Sequence, residues 1–164
     1  MKKLASNTVL CVQPLPQTIV SCRDKDGKNN ALVVGFVANI SLDPVMVMVG
    51  ITPARYSHHI VKESGCFIIN FPKKSYKKEY GYLGSASGRD EDKISKVNFH
   101  VVETEEGEPT FEEGTMVFVC KKLMETQLNP EEFIDPEVDG RWYPEKDYHH
   151  MYTAEVIAAY RIEQ

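Results

Sequence analysis

No CxxC pair, no HExxH, no GxSxG and no GxGxxG occurs anywhere in the 164 residues. The first absence leaves Cys11, Cys22, Cys66 and Cys120 without the spacing of a redox pair or a metal knuckle. Each instead sits among apolar or β-forming neighbours, in "VLCV", "IVSCR", "GCFIIN" and "VFVCKK", the setting of a buried, reduced thiol. The other three remove a zinc hydrolase, a nucleophile elbow and a Rossmann dinucleotide domain from consideration. Basic residues interleaved with aromatics are also missing, and the net charge is −5, so a nucleic-acid surface is not expected. The one locally basic stretch, "KKSYKKEY", reads as the solvated face of a helix. No segment reaches membrane-spanning length, and "MKKLASNTVLCVQPLP" lacks the unbroken apolar core of a signal peptide. The expectation is a cytoplasmic protein.

What is present is an ordinary globular composition, 42% hydrophobic and 26% charged. This length builds one domain with a real core rather than two, so a single domain over 1–164 is expected. No internal repeat divides it. "QTIVSCRD" is rich in β-branched residues and predicts a strand. "DKDGKNN" predicts a turn in which Gly27 and the Asn pair take positive φ. "ALVVGFVANI" predicts one return strand whose two alternating faces are both apolar, and so a strand covered on both sides. "PVMVMVGI" repeats that signature.

The pattern then changes. "SHHIVKESG" predicts a short helix with Ser57 as N-cap and Gly65 just past its end. "CFIINF" returns to strand, "KSYKKEYGYL" predicts a second helix, and "GSASGRDEDK" is a Gly, Ser and charge-rich loop. "NFHVVE", "TMVFVCKKLMETQ" and "YTAEVIAAYRI" add strands, with the proline-rich "LNPEEFIDPEVDGRWYPEKD" as a long surface segment. Six or so strands with two short helices suggest a mostly antiparallel, closed or partly closed β-barrel with helical caps.

Two segments carry the chemistry of an anion site. In "TPARYSHH", Ser57 at a helix start offers free N–H groups at the positive end of the helix dipole, and Arg55 adds a permanent fork of donors. The alternative is an ordinary cap beside a surface arginine. In "SASGRDEDK", Gly and Ser allow close backbone approach to a ligand and Lys93 offers a point charge, although a plain solvent loop reads the same way. The histidines His58-His59, His100 and His149-His150 do not chelate as adjacent pairs, because neighbours on a strand face opposite ways. No metal site is expected.

"NNALVVGFVANISLDPVMVMVGITPARYSHHIVKESGCFIINFP" followed by "GSASGRDEDKI" resembles the flavin reductase-like FMN-binding proteins, which include flavoredoxins and archaeal ferric reductases. The resemblance covers roughly residues 12–105, and "DYHHMYTAEVIAAY" is similar to the family's closing strand. It implies a split β-barrel that dimerises and binds FMN non-covalently near the dimer interface. On that resemblance Asn30, Ala31 and Leu32 approach the phosphate and ribityl chain, and Ala38, Asn39, Ile40 and Ser41 lie along the flavin ring. Arg55 and Ser57 bind the phosphate with Tyr56 beside them, Lys93 reaches in from the Ser-Gly loop, and His149 stands near the flavin edge. Three positions depart from the family pattern: Val33 where many relatives carry a hydroxyl, Asp43-Pro44 for paired prolines, and Phe36 for tryptophan. The implied activity is an NAD(P)H-dependent oxidoreductase passing electrons to free flavin, ferric complexes or a redox protein. A non-catalytic flavoredoxin-type carrier stays open, as does a barrel holding heme or another phosphorylated ligand.

Overall fold

The computed structural model describes residues 18–162; Cys11 lies outside them. Nine strands and three α-helices follow one another: β1 (Thr18–Arg23), β2 (Asn29–Val34), β3 (Val37–Leu42), β4 (Val45–Ile51), α1 (Tyr56–Glu63), β5 (Cys66–Pro72), α2 (Lys77–Ser85), β6 (Val101–Glu103), β7 (Pro109–Phe111), β8 (Gly114–Gln127), α3 (Glu137–Trp142) and β9 (His150–Arg161). β6 and β7 form a small ribbon, and the other seven strands form one sheet in the order β2-β1-β5-β8-β9-β4-β3. All its pairings are antiparallel.

That order shows how the sheet is shaped. β2 and β3 are its two edges, yet only Gly35 and Phe36 separate them in the chain. Six strand spacings in a flat sheet would hold the edges about 29 Å apart, whereas Val34 and Val37 can be at most about 11 Å apart. The sheet must therefore roll until its edges nearly meet. The ladder stays open between β2 and β3, and Gly50 N–H donating to Phe36 O (3.4 Å) only extends the β3–β4 pairing to the crossing. This is a split, rolled sheet rather than a closed barrel.

Period-two alternation fills both sides of the first two strands. Val20, Cys22, Leu32 and Val34 face the interior with Val49 and Tyr152. Ile19 and Ala31 face outward, where Tyr80 and Leu83 of α2 cover them together with Phe99 and Phe111. The ribbon is tied to the sheet by a buried polar network in which every donor finds a partner. Asn70 Nδ2 donates to Ile19 O and Ser21 Oγ, Ser21 Oγ donates to Pro109 O, and Thr110 Oγ1 donates to Asn70 Oδ1.

Several expectations are corrected here. The run "ALVVGFVANI" is two strands, because the chain must cross the seam at Gly35-Phe36, and its second half is not covered: Ala38, Asn39 and Ile40 are exposed. Asn29 and Asn30 belong to β2, and of that turn only Gly27 has positive φ (+81°). Gly65 follows α1 without entering the left-handed region. The three-residue β7 was missed, and "NFHVVE" is strand only from Val101. The proline-rich segment holds α3, anchored by side-chain contacts rather than by an apolar period.

Candidate functional site

β4 ends at Ile51, a tight turn follows with Arg55 N–H donating to Thr52 O (3.0 Å), and α1 starts at Tyr56. Arg55, not Ser57, is the N-cap residue, and no side chain caps the first turn. The opening N–H groups of α1 thus lack a side-chain acceptor, which favours an anion there. Ser57 sits inside the helix, 2% exposed, with its Oγ accepting from Asn30 Nδ2 at 2.5 Å. That bond ties the helix start to β2.

Thirty residues later the Gly-Ser loop folds back onto the same place. Together the two segments line a cleft of about 200 Å³, whose walls include Val33, Arg55, Ser57, Ser87, Arg89 and Lys93. Gly88 makes the approach possible: a Cβ there would lie 2.4 Å from Asn30 Oδ1 and 2.8 Å from the Tyr56 ring. Asn30 is not free to yield, since its Nδ2 donates to the buried Ser57 Oγ. Any larger residue would push the loop off the helix start.

Three cations border the cleft. The Arg89 guanidinium lies over the Tyr56 ring, 5.9 Å from its centroid, and Tyr56 also meets His59 edge-on (4.7 Å). Lys93 is 4% exposed, and its ammonium donates to Leu83 O (2.9 Å) and Ala86 O (3.1 Å) at the end of α2. Two of its three N–H groups are thereby committed. Burial, with the Arg55 charge acting in the same direction, lowers its pKa to about 8. Arg89 escaped the sequence reading, although a charge inside a Gly-Ser loop was the available signal.

The remaining predicted residues divide. Leu32 lines the cleft, while Ala31 is fully buried on the opposite face of β2 among Tyr80 and Leu83. Ala38, Asn39, Ile40 and Ser41 lie on the edge strand β3, outside the cleft lining. His149 stands at the seam: its ring meets Phe36 (6.4 Å), and its Cδ2 lies 3.4 Å from where a Cβ on Gly50 would stand.

One histidine of each adjacent pair meets one of the other. His58 of α1 packs edge-on against His150 of β9 at 4.4 Å, and His150 Nδ1 is 2.9 Å from Glu125 Oε1. Burial first, then the neighbouring His150 and Lys62, lowers the His58 pKa. Its Nε2 and the Tyr152 hydroxyl are buried without a partner. Among the described residues no three His, Cys, Asp or Glu side chains converge as a metal site would require. Cys22, Cys66 and Cys120 are free thiols; burial raises Cys22 and Cys120 to about 12 and Cys66 to about 11. Thiols of that acidity are poor nucleophiles at neutral pH. No helix among the described residues is long and apolar enough to cross a membrane.

An antiparallel sheet rolled to a seam, with a cation-bordered cleft on it, defines a rolled-sheet class of fold. Within it, this chain belongs to the flavin reductase like domain family, which it matches over residues 13–163. It is similar to the crystal structure of flavoredoxin from Methanosarcina acetivorans, with 27% identity and a TM-score of 0.74 over 100% of this chain and 77% of that one. It shares its fold with flavoredoxin of Desulfovibrio vulgaris (Miyazaki F), at 21% identity and a TM-score of 0.74 over 98% of this chain and 76% of that one. An uncharacterized protein of Archaeoglobus fulgidus is 28% identical over 101 residues, which are 61% of this chain and 57% of that relative's length.

Proposed function

We propose that this chain is a single-domain FMN-binding flavoprotein and an NAD(P)H-dependent oxidoreductase, whose electrons pass to free flavin, a ferric complex or a redox partner. The observation that carries the reading is the convergence of the two candidate anion segments on one cleft. Arg55, Arg89, the free amides at the start of α1 and the one uncommitted N–H of Lys93 make that cleft fit a phosphate dianion better than a neutral ligand. Asn30 would fix Ser57 toward the phosphate, and Leu32 and Val33 would line the ribityl path. Tyr56 would hold Arg89 in place. Ala38, Asn39, Ile40 and Ser41 would lie along the ring, with His149 near its edge.

When bound, FMN supplies the one- and two-electron chemistry, which is consistent with a site that has no activated nucleophile. The protein's own part is to grip the phosphate, orient the ring and exclude water. The apolar residues left exposed at the seam crossing and on β3 and β4, Phe36, Ile40, Leu42 and Val45, support a homodimer in which a second copy covers the ring. The likeness to flavoredoxins favours one rival, an electron carrier without substrate turnover of its own.

Titration of the purified chain with FMN and with riboflavin tests the site. FMN should bind more tightly, and equal affinities would remove the phosphate argument. Anaerobic addition of NADH or NADPH should then bleach the yellow colour. A flavin that binds but does not bleach points to the carrier.

A further inference from the structure

The segment between β8 and β9 looks like surface in sequence, yet it delivers one side chain to the seam. The Tyr143 hydroxyl lies 2.9 Å from His149 Nδ1, and the two rings meet edge-on at 5.8 Å and 81°. Tyr143 is itself held in place. It stacks on Phe133 (6.0 Å, 11°) and leans on Tyr148 (5.1 Å). The Tyr148 hydroxyl donates to Asp139 Oδ1, and Asp139 also pairs with Lys146, which closes the arm on itself. Farther along, Asp147 Oδ1 accepts from Ala54 N–H (3.0 Å), tying the arm to the turn that carries Arg55. This much buttressing is more than a solvent loop requires.

We propose that Tyr143 is a positioning residue: its hydroxyl donates to Nδ1 of His149 and so holds that ring as the Nε2–H tautomer, a fixed hydrogen-bond donor for the ring end of a flavin in the seam beside Phe36. The inference rests on the flavin-binding reading above. A neutral imidazole has one donor and one acceptor nitrogen, and the hydrogen bond at one decides which tautomer is present. A phenol is the better acid and an imidazole nitrogen the better base, so the proton between them belongs on the tyrosine oxygen. The charged groups acting on His149 are Arg55 and Asp147, with opposite effects. Burial first, with Arg55 in support, lowers its pKa and keeps the ring neutral. Burial raises the Tyr143 pKa, so the phenol keeps its proton.

The test combines nitrogen-15 NMR of the imidazoles with flavin titration, on the wild-type chain and on Tyr143→Phe. The phenylalanine keeps the stack on Phe133 and removes only the hydroxyl; an unchanged melting temperature checks that. The expected wild-type spectrum shows His149 protonated at Nε2. In Tyr143→Phe the two tautomers should mix and the His149 pKa should rise. FMN and riboflavin should weaken together by about three- to tenfold, the scale of one hydrogen bond, and the effect should vanish in a His149→Phe background. A wild-type His149 protonated at Nδ1 would overturn the proposal. So would flavin affinities that ignore the loss of the hydroxyl. Failure of the wild-type chain to bind either flavin is read first, and it sinks the flavin-binding function itself while the tautomer measurement still stands.

Discussion

β2 and β3 come from one apolar run and meet opposite fates. In β2, Ala31 is 0% exposed, Leu32 7% and Val34 4%; in β3, Ile40 is 47% exposed and Leu42 84%. Composition does not explain the difference. β2 has β1 beside it, α2 on its outer face and the rolled interior beneath. Among the described residues β3 pairs only with β4. Apolar residues on both faces of a strand therefore announce that something covers it, but not that the cover belongs to the same fold unit. Under the proposed function the missing cover of β3 is flavin on one part and a second copy on another.

The largest effect should come from testing burial directly. Leu32→Ala should lower the unfolding free energy by about 2–5 kcal/mol, the range for a buried leucine, whereas Leu42→Ala should stay within about 0.5 kcal/mol. Urea unfolding at a concentration where the chain is monomeric measures both. Equal losses would erase the contrast.

Next in size is the phosphate side. Arg55→Ala should cost roughly 1.5–3 kcal/mol of FMN binding, about 10- to 150-fold, and leave riboflavin nearly unmoved. On the β3 side, Ile40→Ala should weaken both flavins alike, by about 1 kcal/mol or roughly fivefold. Fluorescence-quenching titrations separate these patterns. An Arg55 variant that weakens both ligands equally would show a disturbed helix start rather than a lost phosphate contact.

Self-association is the third measure. Leu42→Lys puts a charge on the uncovered edge and should weaken a dimer by about tenfold or more, since an unpaired charge is costly to bury. Sedimentation velocity reads this, and a wild-type chain that stays monomeric with full FMN affinity removes β3 as the interface.

The smallest effect is on pH. His58 belongs to α1, which helps cover the β1–β2 side, and its folded pKa lies below the ordinary 6.5. Between that folded value and about 6.5 the unfolded chain binds the extra proton, so stability must fall as pH drops through this window. The slope is at most about 1.4 kcal/mol per pH unit for one group. His149, also lowered, adds in the same direction. Melting curves of His58→Phe between pH 5 and 7.5 should be flatter than wild type; a slope of equal steepness would clear His58.

Much of the fold was legible from local pattern. The β-branched run of β1, the apolar β4, the "CFIINF" of β5 and the two long C-terminal strands all appear where alternation placed them, because each strand's face is set by its own residues. The two candidate anion segments, which line one cleft, were legible for the same reason, since Gly, Ser and Arg act through local geometry. The sequence did not show the seam, because a two-residue crossing between sheet edges leaves no mark in hydrophobic period. Nor did it show β7, whose three buried residues are held by Asn70 and Ser21 from distant strands.

By itself, then, the sequence determined most of the strands, the turn at Gly27 and two candidate anion segments, all properties of neighbours along the chain. Only the tertiary structure decided that those segments form one cleft, because Gly88 lies against Asn30 of β2 and Tyr56 of α1, both distant in the chain. It also decided that Arg89 joins the cleft, that His58 meets His150, and that Tyr143 reaches His149. The first two contacts join residues from separate elements, and the packing of those elements, not local preference, brings them within reach.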